Sequence, residues 1–453
     1  MTYIVLGRDD KGTEASLPLA RANRHGLIAG ATGAGKTVSM MRLVEGLSRA
    51  GVPTFVPDVK GDVAGVCSGA RPLPTVFWDP EGKRGHPFRV PVRRFGAGLF
   101  ARTIGVTGVQ ADVLGVAFRY AADENLPFDT LKDVQEVLRS VDEERKSVSI
   151  DHGLVSSATV AAIRRSIATF EADGGGLIFG PKSIARDDLF LQTDDEQGFV
   201  TVLVADNLVK NARVYATVMT WILSDLYENL PEVGDLAIPK LAMFIDEAYL
   251  LFEDAPRPLV DRIGRIVRII RSKSVGVWFC TQSPSDLPSV VLGQLGSRVQ
   301  HAMRAATPKD WRAIKAAADT MPRGKSLDPA TEISVLRIGH ALVSFLDEQG
   351  SPTPTIKVRV DPPEFRVGAV DDRSRQGVVR NSPLASRFRP RSDPRPPGFG
   401  RTRPAETRGA DEAAARFGRN AGRAVASVLR FVKKSLQRRG GGVNFRSSAK
   451  GAT

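Results

Sequence analysis

Eight consecutive residues, Gly30-Ala31-Thr32-Gly33-Ala34-Gly35-Lys36-Thr37, satisfy the pattern G-x-x-x-x-G-K-[ST] at every fixed position. The chemistry asked of such a loop is close contact between phosphate oxygens and backbone N–H groups. Glycine permits that contact, and a following helix aims its positive end at the anion. Lys36 is then the group that neutralises β and γ phosphates, and the Thr37 hydroxyl is a ligand for Mg²⁺. A second constellation lies far downstream: the apolar run Leu241–Ile245 ends in Asp246-Glu247. Two carboxylates at the tip of a buried strand suit a metal-bound phosphate. Asp246 is the candidate for holding Mg²⁺ and Glu247 the candidate general base for an attacking water. The substrate and cofactor these residues call for are ATP and Mg²⁺.

Two other strand tips offer polar side chains to the same space. Gln282 follows the apolar run Val275–Thr281, where an amide can orient a water or simply begin the Ser283-Pro284 turn. Asp58 follows Thr54–Pro57 and either faces the crevice or caps the Lys60-Gly61 turn. Arginine is more ambiguous. Arg262, Arg265, Arg268 and Arg271 recur every third residue among Ile263, Ile266, Val267 and Ile270, which is the solvated face of an amphipathic helix or the source of an arginine finger.

These groups need a frame. Residues 1–24 read as a β-hairpin, Thr2–Leu6 and Ala15–Leu19 around a turn at Asp9–Gly12. His25–Ala29 is a compact apolar strand entering the glycine-rich loop. Val38, Met41, Val44 and Leu47 then mark a helix that stops at Gly51. Apolar strands alternating with helices predict an α/β core with a mainly parallel sheet over residues 25–363. Between about 95 and 186 the rhythm changes to helices at Val109–Ala122, Thr130–Glu144 and Ser157–Ala172, a helical insertion. The sheet resumes at Val200–Ala205, and Val299–Arg304 and Ala341–Phe345 are later strands.

Charge separates the chain into two parts. Of 453 residues, 64 are Lys or Arg and 50 Asp or Glu, a net of +14. From Arg366 onward there are 21 basic and 6 acidic residues, so residues 1–365 carry a net of −1. The basic excess belongs to the tail, and the pI says nothing about the body. Residues 364–410 read as a Pro/Arg-rich linker too poor in apolar groups to fold alone. Residues 411–439 follow as an amphipathic helix, with Phe417, Ala421, Ala424, Val428, Val432 and Leu436 on one face, and 440–453 as a disordered end. Two cysteines, Cys67 and Cys280, exclude a disulfide framework. The first residues lack a signal-peptide pattern and no apolar run reaches about 18 residues, so a cytoplasmic address without a transmembrane segment is expected.

Several stretches together resemble the HerA-like branch of the HerA–FtsK ATPase superfamily, in particular the bacterial group carrying a helicase HerA-like C-terminal domain. They are His25–Thr37, Pro57–Asp62, Leu230–Asp235, Phe244–Phe252, Ile269–Asp286, Val291–Arg304 and Ala341–Phe345. The resemblance implies a RecA-like core that works as a homo-oligomeric ring, commonly a hexamer, with nucleotide between subunits. It aligns Asp58 with the family's acidic residue after the second strand, Gln282 with its strand-tip glutamine, and Arg271 with its trans-acting arginine. One departure is expected to matter: HerA proper carries an N-terminal β-barrel before this loop, which takes part in docking a partner nuclease, whereas this sequence has 29 residues before Gly30. Two functions of different class follow. One is an ATP-hydrolysing ring motor acting on double-stranded DNA. The other is an ATP-switched peripheral scaffold whose basic tail binds an anionic membrane surface or a protein partner.

Overall fold

A computed structural model describes residues 2–181, 184–253, 255–322 and 327–388. The linker beyond 388, the amphipathic helix expected at 411–439 and the terminal residues lie outside this range. Strands β1 (Tyr3–Arg8) and β2 (Glu14–Pro18) form an antiparallel hairpin, and β3 (Gly26–Ala29) leads into the glycine-rich loop and helix α1 (Lys36–Arg49). Next come β4 (Thr54–Asp58), β5 (Thr75–Asp79) and the two-residue β6 (His86–Pro87). Helices α2 (Val92–Ile104), α3 (Val109–Asp123), α4 (Leu131–Glu143), α5 (Arg145–His152) and α6 (Ser157–Ala172) follow in succession. The sheet continues with β7 (Val200–Val204), α7 (Ala212–Asn229), β8 (Leu241–Ile245), α8 (Arg257–Ile269) and β9 (Val275–Thr281). A one-turn helix α9 (Ser289–Leu292) precedes β10 (Ser297–Gln300), α10 (Pro308–Asp319), α11 (Pro329–Val335), β11 (His340–Ser344) and β12 (Ile356–Val360).

All twelve strands of the described residues join one sheet in the order β2-β1-β12-β11-β10-β3-β9-β8-β4-β7-β5-β6. From β10 to β6 every pairing is parallel, and from β10 outward to β2 every pairing is antiparallel. The expected α/β fold with a mainly parallel sheet is therefore the fold of this chain. The central strands are buried along their whole length because both faces are covered. Leu27, Ala29, Met243 and Ile245 face a core built with α2–α4 and α6–α8. Ile28, Ala242 and Phe244 face the opposite core under α1 and the hairpin. The amphipathic α8 buries Leu259, Ile263, Ile266 and Val267. None of the helices in the described residues is long and apolar enough to cross a membrane.

One boundary differs from expectation. Residues 364–388, read from composition as linker, pack on the body. Phe365 is buried and bridges to Gly69, and the Glu364 N–H donates to Glu45 in α1 at 3.1 Å. A further helix, α12 (Asp372–Asn381), lays Arg375 over the Phe77 ring. The reason is local: Gly65 and Gly69 leave room for the backbone of Arg366, where a Cβ would come within 2.3 and 2.6 Å of it. A few well-placed contacts anchor a segment whose average composition is polar.

Two fully buried histidines tie the centre of the sheet together. The Val277 N–H donates to His25 Nδ1 at 2.9 Å, so the opposite nitrogen carries the proton and donates to the Val267 carbonyl at 2.8 Å. His301 Nδ1 donates to the His340 carbonyl at 2.9 Å and its Nε2 accepts from Ser39 Oγ at 2.8 Å. Burial pushes both imidazoles down from 6.5 to about 4. The unfolded chain takes up these protons near pH 6.5 and the folded chain only near 4, so stability is complete above 6.5 and falls as pH drops through that window. The loss is on the order of 3 kcal/mol per histidine. Denaturant unfolding measured from pH 7 to 4 should show this slope, and His301→Gln should reduce it by up to about 1.4 kcal/mol per pH unit.

Candidate active site

The glycine-rich loop is held from both sides. Its first residue, Gly30, donates to the Thr281 carbonyl at the end of β9 (3.3 Å), and Ala31 donates to Ala302 beyond β10 (2.8 Å). Gly30 has φ 149° and the backbone of His301 lies directly behind it, so a Cβ there would meet His301 Cβ at 2.5 Å. Gly33 has φ 76° with open space around it, which leaves its side of the loop free for an anion. Thr32 and Gly33 are exposed, whereas Ala34 is buried in an apolar cluster that includes Ile314 of α10 and Ile333 of α11. The loop is thus rigid at its base and open at its crest. α1 begins at Lys36, and Thr37 in its first turn is half-buried.

Lys36 is buried and donates to the Gly30 carbonyl at 2.7 Å and to Ala31 at 3.2 Å. Burial lowers its pKa, and the charges of Glu247 and Asp246 counter that shift. Those two carboxylates stand just past β8, whose neighbour β9 separates it from β3. Ile245 is level with Phe279 and Ala29 with Thr281, so the loop and both carboxylates emerge at the same C-terminal edge of the parallel strands. Asp246 is buried, and desolvation together with the adjacent Glu247 charge raises its pKa from 3.8 to about 6. Glu247 is buried in a left-handed conformation, φ 47° and ψ 49°. Its Oε1 is paired with Lys60, and its Oε2 is buried without a hydrogen-bond partner. Tyr215 on α7 also has a buried hydroxyl without a partner, and burial with the Asp246 and Glu247 charges raises its pKa.

The remaining candidates fall in different places. Gln282 is exposed at the tip of β9 and lines a cleft of about 660 Å³ with Tyr249, Phe252 and Asp286. Asp286 fixes that turn by accepting from Thr281 Oγ1 at 2.6 Å. Asp58 is buried at the tip of β4, where its Oδ1 accepts from the Gly61 N–H at 2.8 Å and from Val63 at 3.3 Å. Its carboxylate therefore organises the 58–63 turn. Arg271 is not brought to this edge. It is exposed just before β9 begins, roughly 20 Å from the C-terminal edge given the rise of a seven-residue strand. Its carbonyl accepts from Asn23 Nδ2 at 3.3 Å, and Asn23 also donates to Asp235, which Arg21 and Arg24 pair with. Arg265 and Arg268 are exposed, whereas Arg262 pairs with Glu228.

Sequence reasoning missed the Lys60 contact, the Tyr215 hydroxyl and the support that His301 gives the loop. Lys60 lies within the Pro57–Asp62 stretch, but nothing local signals a partner 187 residues away. A cavity of about 870 Å³ between α10 and α11, among Trp311, Ile314 and Met321, contains none of these groups.

The donor set fits Mg-nucleotide. Mg²⁺ takes one or two protein oxygens and completes its octahedron with phosphate and water, which matches Thr37 and Asp246. No group of three or more His, Cys, Asp or Glu able to cage a metal occurs among the described residues.

Comparisons with known proteins bear on the family and the fold. The family described as Helicase HerA-like C-terminal matches residues 4–72 and 69–399. No curated protein matches the sequence. Among solved structures, VirB4 of Thermoanaerobacter pseudethanolicus is similar with a TM-score of 0.56 at 16% identity, over 80% of this chain and 96% of that one. The bacterial conjugative coupling protein TrwB, lacking its first 70 residues and unbound, gives 0.55 at 15%, over 81% and 91%. TrwB in complex with ADP and Mg²⁺ gives 0.53 at 15%, over 77% and 88%. At these identities the likeness is one of fold.

The raised pKa of Asp246 has a consequence for stability. Without Mg²⁺ or nucleotide, its ionised form costs the folded state up to about 3 kcal/mol above pH 6, and nothing below about 3.8 where both states are protonated. Asp246→Asn should therefore gain stability over the wild type as pH rises from 4 to 7. Unfolding in chelator across that range checks it, and a pH-independent difference would refute the assignment.

Proposed function

The chain belongs to the helicase HerA-like C-terminal family of the HerA–FtsK superfamily, and from that premise we propose that it binds ATP·Mg²⁺ at Gly30–Thr37 and hydrolyses ATP to drive an oligomeric ring motor on double-stranded DNA. The observation that carries the reading is the convergence of Lys36, Asp246 and Glu247 at one sheet edge, with Glu247 Oε2 buried and unpartnered. Gly30, Ala31, Thr32, Gly33, Ala34, Gly35 and Lys36 form the phosphate cradle: the N–H groups of Gly30, Ala31 and Ala34 brace the loop through carbonyls, those of Thr32, Gly33, Gly35 and Lys36 are offered to phosphate, and Asp58 shapes the wall beside it. Lys36 exchanges its two loop carbonyls for β and γ oxygens. Thr37 and Asp246 would hold Mg²⁺, which when bound would offset charge on the phosphate oxygens. Glu247 takes a proton from the attacking water at Oε2 as the γ-phosphoryl group leaves ADP, and Gln282 orients that water.

Lys36→Ala should abolish measurable nucleotide binding. Glu247→Gln should keep binding while turnover falls by about 10²–10⁴-fold. Normal turnover in either folded variant, followed by phosphate release, would sink the site. Duplex DNA should raise wild-type turnover, and anionic liposomes should leave it unchanged. The reverse result would favour a membrane-bound scaffold.

Arg271 stands too far from its own crevice to act there, so its role is proposed across a subunit boundary. Arg271→Ala should lower turnover by about 10³–10⁵-fold and spare binding. Mixing Lys36→Ala with Arg271→Ala subunits should restore part of the activity at mixed boundaries. If both variants assemble and no mixing ratio recovers turnover, Arg271 is not the finger.

A further inference from the structure

Lys60 makes a contact that a phosphate cradle does not require. Its backbone is held between Asp58 and the two N–H groups that follow it, because Asp58 accepts from Gly61 and Val63. Its side chain, 45% exposed, reaches the tip of β8 and pairs with Glu247, whose side chain is 4% exposed. Only one Glu247 oxygen is used in that pair, and the other is buried without a partner. The ammonium also feels the charge of Asp246, and Lys36 feels the charge of Lys60. Lys60 therefore hangs from a rigid turn at the edge of the space that holds Lys36, Asp246 and Glu247.

A cation on a flexible arm, paired with one carboxylate and near others, has a stronger partner available when a triphosphate enters. The γ-phosphate carries more charge than a carboxylate, and ADP lacks that group. A long aliphatic stem lets the ammonium change partners without moving the backbone. We propose that Lys60 reads the γ-phosphate: it pairs with Glu247 in the empty or ADP-bound chain and passes to the γ-phosphate in the ATP-bound chain, releasing both Glu247 oxygens toward water. This rests on the nucleotide site and on Glu247 as base. It explains why the contact joins a half-exposed lysine to a buried carboxylate, and why the turn carrying Lys60 is held by Asp58.

The test is differential binding. Dissociation constants for a β,γ-imido ATP analogue and for ADP, each with Mg²⁺, are measured by calorimetry for the wild-type, Lys60→Met and Lys60→Arg chains. Lys60→Met should weaken the analogue by about tenfold or more, the worth of a charge-assisted hydrogen bond, while ADP stays within about twofold. Lys60→Arg should recover most of the loss. Retained ADP affinity also reports that the variant is folded. Equal weakening of both ligands would reduce Lys60 to a structural ion pair, and no change in either would remove it from the site. Either result overturns the inference while the nucleotide site stands. A wild-type chain that binds neither ligand overturns both.

Discussion

The rest of the structure depends on the burial of opposite charges at one edge of a parallel sheet. Lys36, Asp246 and Glu247 are all withdrawn from water within a few strands of each other. Desolvation works against the charged form of Lys36 and of Asp246, and mutual attraction and backbone groups offset it in part. That balance is incomplete: Asp246 is raised to about 6 and one Glu247 oxygen has no partner. A site left partly uncompensated favours whatever brings phosphates, water and a divalent cation. The apolar strands behind it, covered on both faces, keep the charges close together.

A second set of contacts works at the opposite edge. Asp235 gathers Arg21, Arg24 and Asn23, and Asn23 in turn holds the Arg271 carbonyl. His25 links β9 to the end of α8 from within the core. The segment carrying Arg271 is thus fastened to the residues that precede β3, and β3 runs directly into the phosphate loop. This chain of hydrogen bonds connects the arginine segment mechanically with the nucleotide edge, although the two lie at opposite ends of the strands.

Legibility followed the range of the interaction. The apolar runs at 26–29, 54–58, 241–245 and 275–281 are strands because a strand buried on two faces shows as an uninterrupted apolar stretch. The helices at 109–123, 157–172 and 212–229 are carried by their periodicity. β5, with Thr75-Val76-Phe77-Trp78, and β12, with its alternating Ile356-Lys357-Val358-Arg359-Val360, were not assigned. β5 is a short run closed in by Pro72, Pro74 and Pro80, whereas β12 does alternate and could have been read as a strand. The 364–388 segment was misjudged because composition averages over the few residues, Phe365 and Arg375 among them, that anchor it.

By itself the sequence determined the phosphate loop and the paired carboxylates after an apolar strand, each encoded within a dozen neighbouring residues, and the α/β class, which is a sum of such local patterns alternating along the chain. Only the tertiary structure decided that Asp58 turns inward to brace its own loop and that Arg271 stands away from its own crevice. It also decided that Lys60 meets Glu247. The Asp58 contacts are local, and local spacing left its direction open, whereas the placing of Arg271 depends on strand order and the Lys60 pair spans 187 residues, about which local spacing carries no information.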